Sequence, residues 1–276
     1  MRITPTLKWL LASSCLAAAS FTLPAQADQL ADVQKAGELV IGTEMQFAPF
    51  DFLKDGKQEG FNKEFFAEVG KSLGVKIRFI DLPWASVLPG LDAKKFDMVG
   101  GPLNVTKARK ERYHFTLPIA DGTVAFLKSA KNKDFTKPEQ VAGKIIGSQR
   151  GSSQLAQTKA YAETLKPAPE IREYVDFNQA YADLANGRIM AVGHSITNIA
   201  VAAKERPDTF AVVQPSIGKK VYFAFMGHKG ADSDSLIAAI DKVILDMHKD
   251  GRLKALQEKW FGMEMPVPTE DFVPNV

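Results

Sequence analysis

Apolar and polar positions follow two alternating periods along this chain. ELVIGTE (38–44) is a short apolar run that predicts a strand followed by a loop. In FNKEFFAEVGKSLG, Phe61, Phe65, Phe66, Val69 and Leu73 fall on one helical face, and Gly74 ends the helix. VKIRFID (75–81) alternates as a strand. WASVLPGLDAKK predicts a helix kinked at Pro89, and FDMVGG predicts a further strand. The β-α-β-α order implies a mostly parallel sheet with helices on both faces.

The pattern then restarts. TVAFLKSA (123–130) predicts a strand, and KIIGSQRGSSQLAQTKAYAETL predicts strand, serine-glycine loop and helix. EYVDF, a helix near 178–186, and GRIMAVGHS continue the alternation. KKVYFAFMGHK (219–229) returns to a strand. Leu236, Ile237, Ile240, Val243, Ile244 and Met247 line one face of a long helix. GRLKALQEKWFG adds a last helix before a proline-rich tail. KDGKQEG and KNKDFTKPEQ are expected to be solvated turns.

The amino-terminal stretch changes the size of the molecule to be explained. Arg2 and Lys8 precede the apolar run WLLASSCLAAASFTL, and AQA at 25–27 is a small-x-small cleavage site. This is the form of a secretory signal peptide over 1–27, with Asp28 as the first mature residue. The apolar run is shorter than the ~20 residues of a spanning helix. LASSC matches a lipobox poorly, which argues against lipid anchoring at Cys15.

Cleavage would remove 27 of 276 residues and leave 249, a length that suits two lobes of ~100–150 residues. Cys15, the single cysteine, would leave with the leader, so an oxidising compartment costs the mature chain nothing. The leader takes two basic residues and no acidic ones. The net charge falls from +3 to +1, which makes no case for nucleic acid. No metal-ligand cluster and no cofactor motif stand out, and a monomer is expected.

Candidate chemistry gathers in VGGPLNVTKARKERYHF (99–115). Gly100 and Gly101 allow close approach by another group, whether helix or ligand, and Pro102 stiffens the turn. Thr106 can cap a helix whose first-turn N–H groups favour an anion. Arg109 lies in that turn, and its fork suits a carboxylate. RGSSQ (150–154) repeats this logic, with Ser152 or Ser153 as cap. Two such sites in two α/β lobes suggest a ligand clamped between them. Phe47 and Trp84 could supply ring faces to the ligand, whereas Phe50 and Phe52 are expected in the core.

Six segments, in order, resemble the periplasmic solute-binding proteins of polar-amino-acid ABC transporters (extracellular solute-binding protein family 3). They are LVIGTEMQFAPFDF, EGFNKEFFAEVGKSLGV, VLPGLDAKKFDMVGGPLNVTKARKERYHFT, KIIGSQRGSSQ, LANGRIMAV and DMHKDGRLKALQEKWFG, and they span 38–262. The resemblance implies two Rossmann-like α/β lobes joined by two hinge strands, the periplasmic binding protein type II fold. Lobe 1 would comprise 28–120 and 222–276, and lobe 2 would comprise 121–221. The chain would bind an amino acid or a similar small carboxylate, without catalysis, and deliver it to a membrane permease.

By the same resemblance, Arg109 would grip the carboxylate with Ser153 opposite. Phe47 and Trp84 would flank the ligand side chain. Gly101, Pro102 and Asn104 would touch carboxylate and amine, and Glu44 would reach a side chain. Ser195 stands where the family usually has an aspartate for the ligand's ammonium, and no acid occurs from Ile189 to Lys204. Either Glu44 or another acid supplies that charge, or the ligand lacks a free α-ammonium. Two other readings use the same fold. One is a dehydratase like the cyclohexadienyl dehydratases, for which His194 is the available acid. The other is a ligand-loaded partner for a sensor or chemoreceptor.

Overall fold

The computed structural model describes residues 28–276. The expected leader and Cys15 lie outside these residues. In chain order the helices are α1 (Gln29–Ala36), α2 (Phe61–Leu73), α3 (Trp84–Asp92), α4 (Lys107–Arg112), α5 (Ser153–Ala162), α6 (Phe177–Ala185), α7 (Ile196–Glu205), α8 (Asp234–Lys249) and α9 (Arg252–Phe261). Among the described residues, no helix is long and apolar enough to cross a membrane.

Two sheets organise the chain into two α/β lobes. The first contains β1 (Glu38–Thr43), β5 (Lys76–Asp81), β6 (Met98–Asn104), β7 (Tyr113–Phe115), β8 (Ala120–Asp121) and β14 (Tyr222–His228). Its order is β5-β1-β6-β14-β7, with β8 also on β14. The second contains β9 (Val124–Ser129), β10 (Ile145–Gln149), β11 (Glu170–Tyr174), β12 (Ala191–Ser195) and β13 (Phe210–Val213), in the order β11-β10-β12-β9-β13. A small hairpin sheet of β2 (Gln46–Phe47), β3 (Asp51–Lys54) and β4 (Lys57–Glu59) follows β1.

The sheets are mixed rather than mostly parallel. β1 pairs in parallel with β5 and β6, as β10 does with β11 and β12. β14 and β9 are antiparallel to the strands beside them. Each of these two strands enters its sheet after the chain passes from the other sheet. Neither follows the helical crossover that parallel neighbours require.

β6 differs from expectation in a way that shapes the cleft. The strand runs on through Gly100, Gly101 and Pro102 to Asn104. Its ladder with β14 shifts register between Ala224 and Met226, opposite residues 100–102, where Pro102 offers no N–H. The first glycine serves packing rather than a ligand. A Cβ on Gly100 would stand 2.3 Å from the Ile41 Cγ2 and 2.9 Å from the Phe66 ring. On Gly101 it would meet the Thr43 hydroxyl at 2.9 Å.

A buried polar network fixes this strand beneath the site. The Asp51 carboxylate accepts from Thr43 Oγ1 (2.6 Å), Asn62 Nδ2 (2.6 Å) and Gln58 Nε2 (3.0 Å). The same Asn62 amide donates to the Gly100 carbonyl at 2.7 Å, tying α2 to β6. Burial pushes the Asp51 carboxyl up to about 6, against the pull of its three donors. Asp51→Ala would strand the Thr43 hydroxyl and loosen Asn62. It is expected to cost about 2–3 kcal/mol in chemical denaturation. A loss below about 0.5 kcal/mol would show that β6 does not depend on this network.

Candidate functional site

The site forms where strand ends from both sheets meet, the position at which open α/β sheets commonly bind ligands. Glu44 follows β1, Asn104 ends β6 and Gln149 ends β10. The helix starts of α3 and α5 contribute Trp84, Ser152 and Gln154. With Phe47, Val87, Gly101, Pro102, Leu103 and Arg109, these residues line a cleft containing about 410 Å³ of space not filled by atoms.

Eight residues singled out from sequence therefore share one cavity: Glu44, Phe47, Trp84, Gly101, Pro102, Asn104, Arg109 and Ser152. Ser153 and Ser195 do not line it. The Ser153 hydroxyl accepts from Asn104 Nδ2 (3.0 Å) and donates to Gln154 Oε1 (3.2 Å). Ser195 is fully buried, and its hydroxyl accepts from Gln154 Nε2 at 3.1 Å. Gln154 thus presents at the cavity the position that Ser195 was expected to fill. His194 lies outside the lining as well. Its ring stacks on Phe177 with centroids 3.4 Å apart and sits 5.4 Å from Phe47. Burial holds its pKa well below the usual histidine range.

Gln149, Gln154, Val87 and Leu103 were not anticipated. For Gln149 a signal was available: it closes an apolar strand just before the capped loop RGSS, a strand-end position of the kind that faces the cleft.

Among the described residues, Arg109 is the only cationic side chain lining the cavity, and it forms no ion pair. Its Nη1 donates to the Asn104 carbonyl at 3.1 Å, and its guanidinium carbon stands 5.6 Å from the Trp84 ring centroid. Burial pulls its pKa down to about 10, so it stays charged at neutral pH. Thr106 caps α4 as expected, accepting from Arg109 N at 3.2 Å. Two of the first-turn N–H groups expected to favour an anion are already engaged within the chain. Lys107 N already donates to the Val276 carbonyl at 2.7 Å, and Arg109 N is taken by the cap.

Among the described residues, Glu44 is the only acid lining the cavity. Gln149 Nε2 donates to both of its oxygens at 2.9 Å. Burial pushes the Glu44 carboxyl up to about 7. The Gln149 amide and the Trp84 backbone N–H oppose this rise, and Asp176 and Asp81 add to it. Both Asn104–Ser153 and Glu44–Gln149 join a residue that follows or ends a strand of the first sheet to one at the end of β10 or the start of α5. On the apolar side, Phe47 is 9 % exposed and borders the cavity while packing on Phe50, Phe177 and Phe223.

Two α/β lobes meeting at such a cleft define the periplasmic binding protein type II fold. The chain belongs to the bacterial extracellular solute-binding proteins, family 3, whose profile matches residues 39–263. It is 31% identical over 238 residues to the L-cystine-binding protein TcyJ of Escherichia coli (strain K12), covering 84% of this chain and 86% of that protein. It is 27% identical over 234 residues to the histidine-binding periplasmic protein of the same strain, covering 82% and 88%. Among solved structures, it resembles the ancestral amino acid-binding protein AncCDT-1, a precursor of cyclohexadienyl dehydratase. That match has a TM-score of 0.76 at 26% identity and covers 85% of this chain and 100% of that one.

Proposed function

We propose that this chain captures an amino acid or amino-acid-like small carboxylate between its lobes and delivers it to the membrane permease of an ABC importer. The observation that carries the reading is Arg109, a half-buried guanidinium that faces the cleft with no carboxylate partner among the described residues. A ligand carboxylate would complete its fork. Asn104, whose carbonyl Arg109 already meets, carries a side-chain amide that could donate to the same carboxylate, and the carbonyls of Gly101 and Pro102 could accept from a ligand ammonium. Phe47 and Trp84 would flank the rest of the ligand. We assign 28–120 and 222–276 to lobe 1 and 121–221 to lobe 2. The 1–27 leader would direct the chain to the periplasm, where it would act as a monomer.

Glu44 gives the ligand question a definite form. An amino acid would set its ammonium against Glu44, with Ser195 neutral behind Gln154. A 2-oxo acid or N-acyl amino acid would leave Glu44 protonated. The dehydratase reading gains nothing from His194, which is enclosed by Phe177 and Phe47 outside the cleft lining.

Isothermal calorimetry with L-cystine, L-histidine, L-arginine and matching 2-oxo acids tests the reading. At least one of these carboxylates should bind with a Kd below about 10 μM. Small-angle scattering at saturation should then show no radius of gyration larger than that of the free protein, since contacts from both lobes favour closure. Expansion on binding, or no binding by any small carboxylate, would overturn the proposal.

A further inference from the structure

Arg109 sits on a helix that cannot hold its own position. α4 has six residues and none is buried, and helices this short are marginal by themselves. Its far end is tied down by neighbours. Lys229 Nζ donates to the carbonyls of Lys110 and Glu111 (2.9 and 3.0 Å), while Arg112 pairs with Asp92 at 3.3 Å. The first turn, which carries Arg109, is tied to a different place.

Segment 270–276 makes those contacts. The Val276 carbonyl accepts from Lys107 N at 2.7 Å. Lys110 Nζ pairs with the Asp271 carboxylate, donates to the Phe272 carbonyl at 3.1 Å and lies 5.7 Å from the Phe272 ring centroid. The Phe272 ring meets Tyr222 edge-to-face at 5.3 Å. Asn275 Nδ2 donates to the Lys220 carbonyl at 2.9 Å. Lys220 in turn pairs with Asp121, and Gly122 N donates to the Val221 carbonyl at 3.0 Å. Residues 122–123 and 214–221 are the two stretches on which the chain passes between its sheets. The segment therefore bridges the Arg109 turn to one passing stretch, and that stretch is bonded to the other.

We propose that segment 270–276 is a positioning strap that fixes the Arg109 turn of α4 and couples it to the stretches linking the two sheets. Its effect on ligand affinity rests on the reading of Arg109 as the carboxylate anchor. Its effect on α4 does not. Phe272 and Asn275 act through Arg109, and neither is part of the cleft lining.

The test uses the double variant Phe272→Ala/Asn275→Ala and the conservative variant Phe272→Tyr in the full chain. Hydrogen exchange of the amides at 107–112 should accelerate at least tenfold in the double variant, with those at 98–104 within twofold of wild type. Calorimetry with L-cystine and L-arginine should show a Kd raised at least tenfold for whichever binds the wild type. Phe272→Tyr should keep wild-type values in both measurements. Unchanged exchange at 107–112 overturns the strap, and so does faster exchange with an unchanged Kd. If neither amino acid binds the wild type, the ligand reading fails at these probes. Exchange alone then decides: acceleration confined to 107–112 supports the strap, and its absence or spread into 98–104 overturns it.

Discussion

Arg109→Ala should abolish tight binding while leaving the fold standing. Removing one half of a desolvated charge pair costs about 2–5 kcal/mol, or roughly 30-fold to several-thousand-fold in Kd. Arg109→Lys should recover only part of this loss, because a lysine cannot bridge both carboxylate oxygens. Denaturation midpoints should change little. The wild-type guanidinium has a single carbonyl acceptor and a ring face for company, and burial already disfavours its charge. Calorimetry of both variants against the ligand that binds the wild type reads the first effect, and urea denaturation reads the second. An affinity within threefold of wild type for Arg109→Ala would remove the carboxylate anchor from this site.

Glu44→Gln should change how the cleft responds to pH, and the direction identifies the ligand class. The carboxyl is raised to about 7 by burial and would ionise near 4.3 in an open or unfolded chain. The arrangement in which Glu44 is buried against Gln149, taken as the closed one, therefore takes up a proton. Its stability is fully present below about pH 4 and is lost as pH rises toward 7. Between pH 5 and 8, closure of the wild type should weaken on the order of a hundredfold, and the glutamine variant should show no such slope.

Ligands divide on the same carboxyl. An α-ammonium set against Glu44 needs the ionised form. Where the free protein keeps the Glu44–Gln149 contact, amino-acid affinity should then rise with pH and a proton should leave at pH 6, and Glu44→Gln should cost at least thirtyfold. A 2-oxo acid gains nothing from the charge, so its affinity should fall with pH and survive the substitution. Titrations of matched amino and 2-oxo acids at pH 5.5 and 8, in buffers of different ionisation enthalpy, decide between the two. Ser195→Asp adds a second check, because a new buried acid should favour the amino acid and penalise the oxo acid. A Glu44→Gln variant with wild-type affinities and an unchanged pH profile would remove Glu44 from both accounts.

What the sequence made legible follows from how strongly each residue's pattern constrains it. The buried faces of α2 and α8 repeat at helical spacing over three turns or more, and both helices appear where that spacing placed them. α1 is eight residues long with one buried side chain, so its periodicity is faint. Its signals are the Asp28 cap and Gly37 at a φ of 69°. The charge-rich KDGKQEG hides the hairpin β3–β4 behind the pattern of a solvated turn. Its Asp55-Gly56 pair, both at positive φ, is the tight turn such a dipeptide favours. α7 and β13 leave faint patterns: two of the four buried residues of α7, Thr197 and Asn198, are polar, and β13 has only four residues.

In the cleft, backbone-special and charged residues were readable because few environments need them together. Gln149 and Gln154 were not, since a glutamine looks alike on a solvated helix and at a lobe contact. The bulge in β6 was hidden for another reason. Gly-Gly-Pro signals a departure from regular pairing, but only the partner strand β14, some 120 residues later, makes it a bent strand rather than a loop.

The cleft also competes with its own cargo. Asn104 and Ser153 spend their hydrogen bond on each other, and Glu44 spends both oxygens on Gln149. A solute that takes the contacts proposed above would displace these internal partners, so part of its contact energy would replace bonds the protein already had. Net intramolecular hydrogen bonds are worth about 0.5–1.5 kcal/mol each. Two of them would divide every solute's apparent affinity by about five to a hundred and fifty. Molecules that match only the guanidinium, such as acetate or formate, would fall below a useful affinity. Those that also replace the amide and hydroxyl contacts would pass. Selectivity would then come from an entry threshold set by self-association of the two walls, in addition to the shape of the space between them.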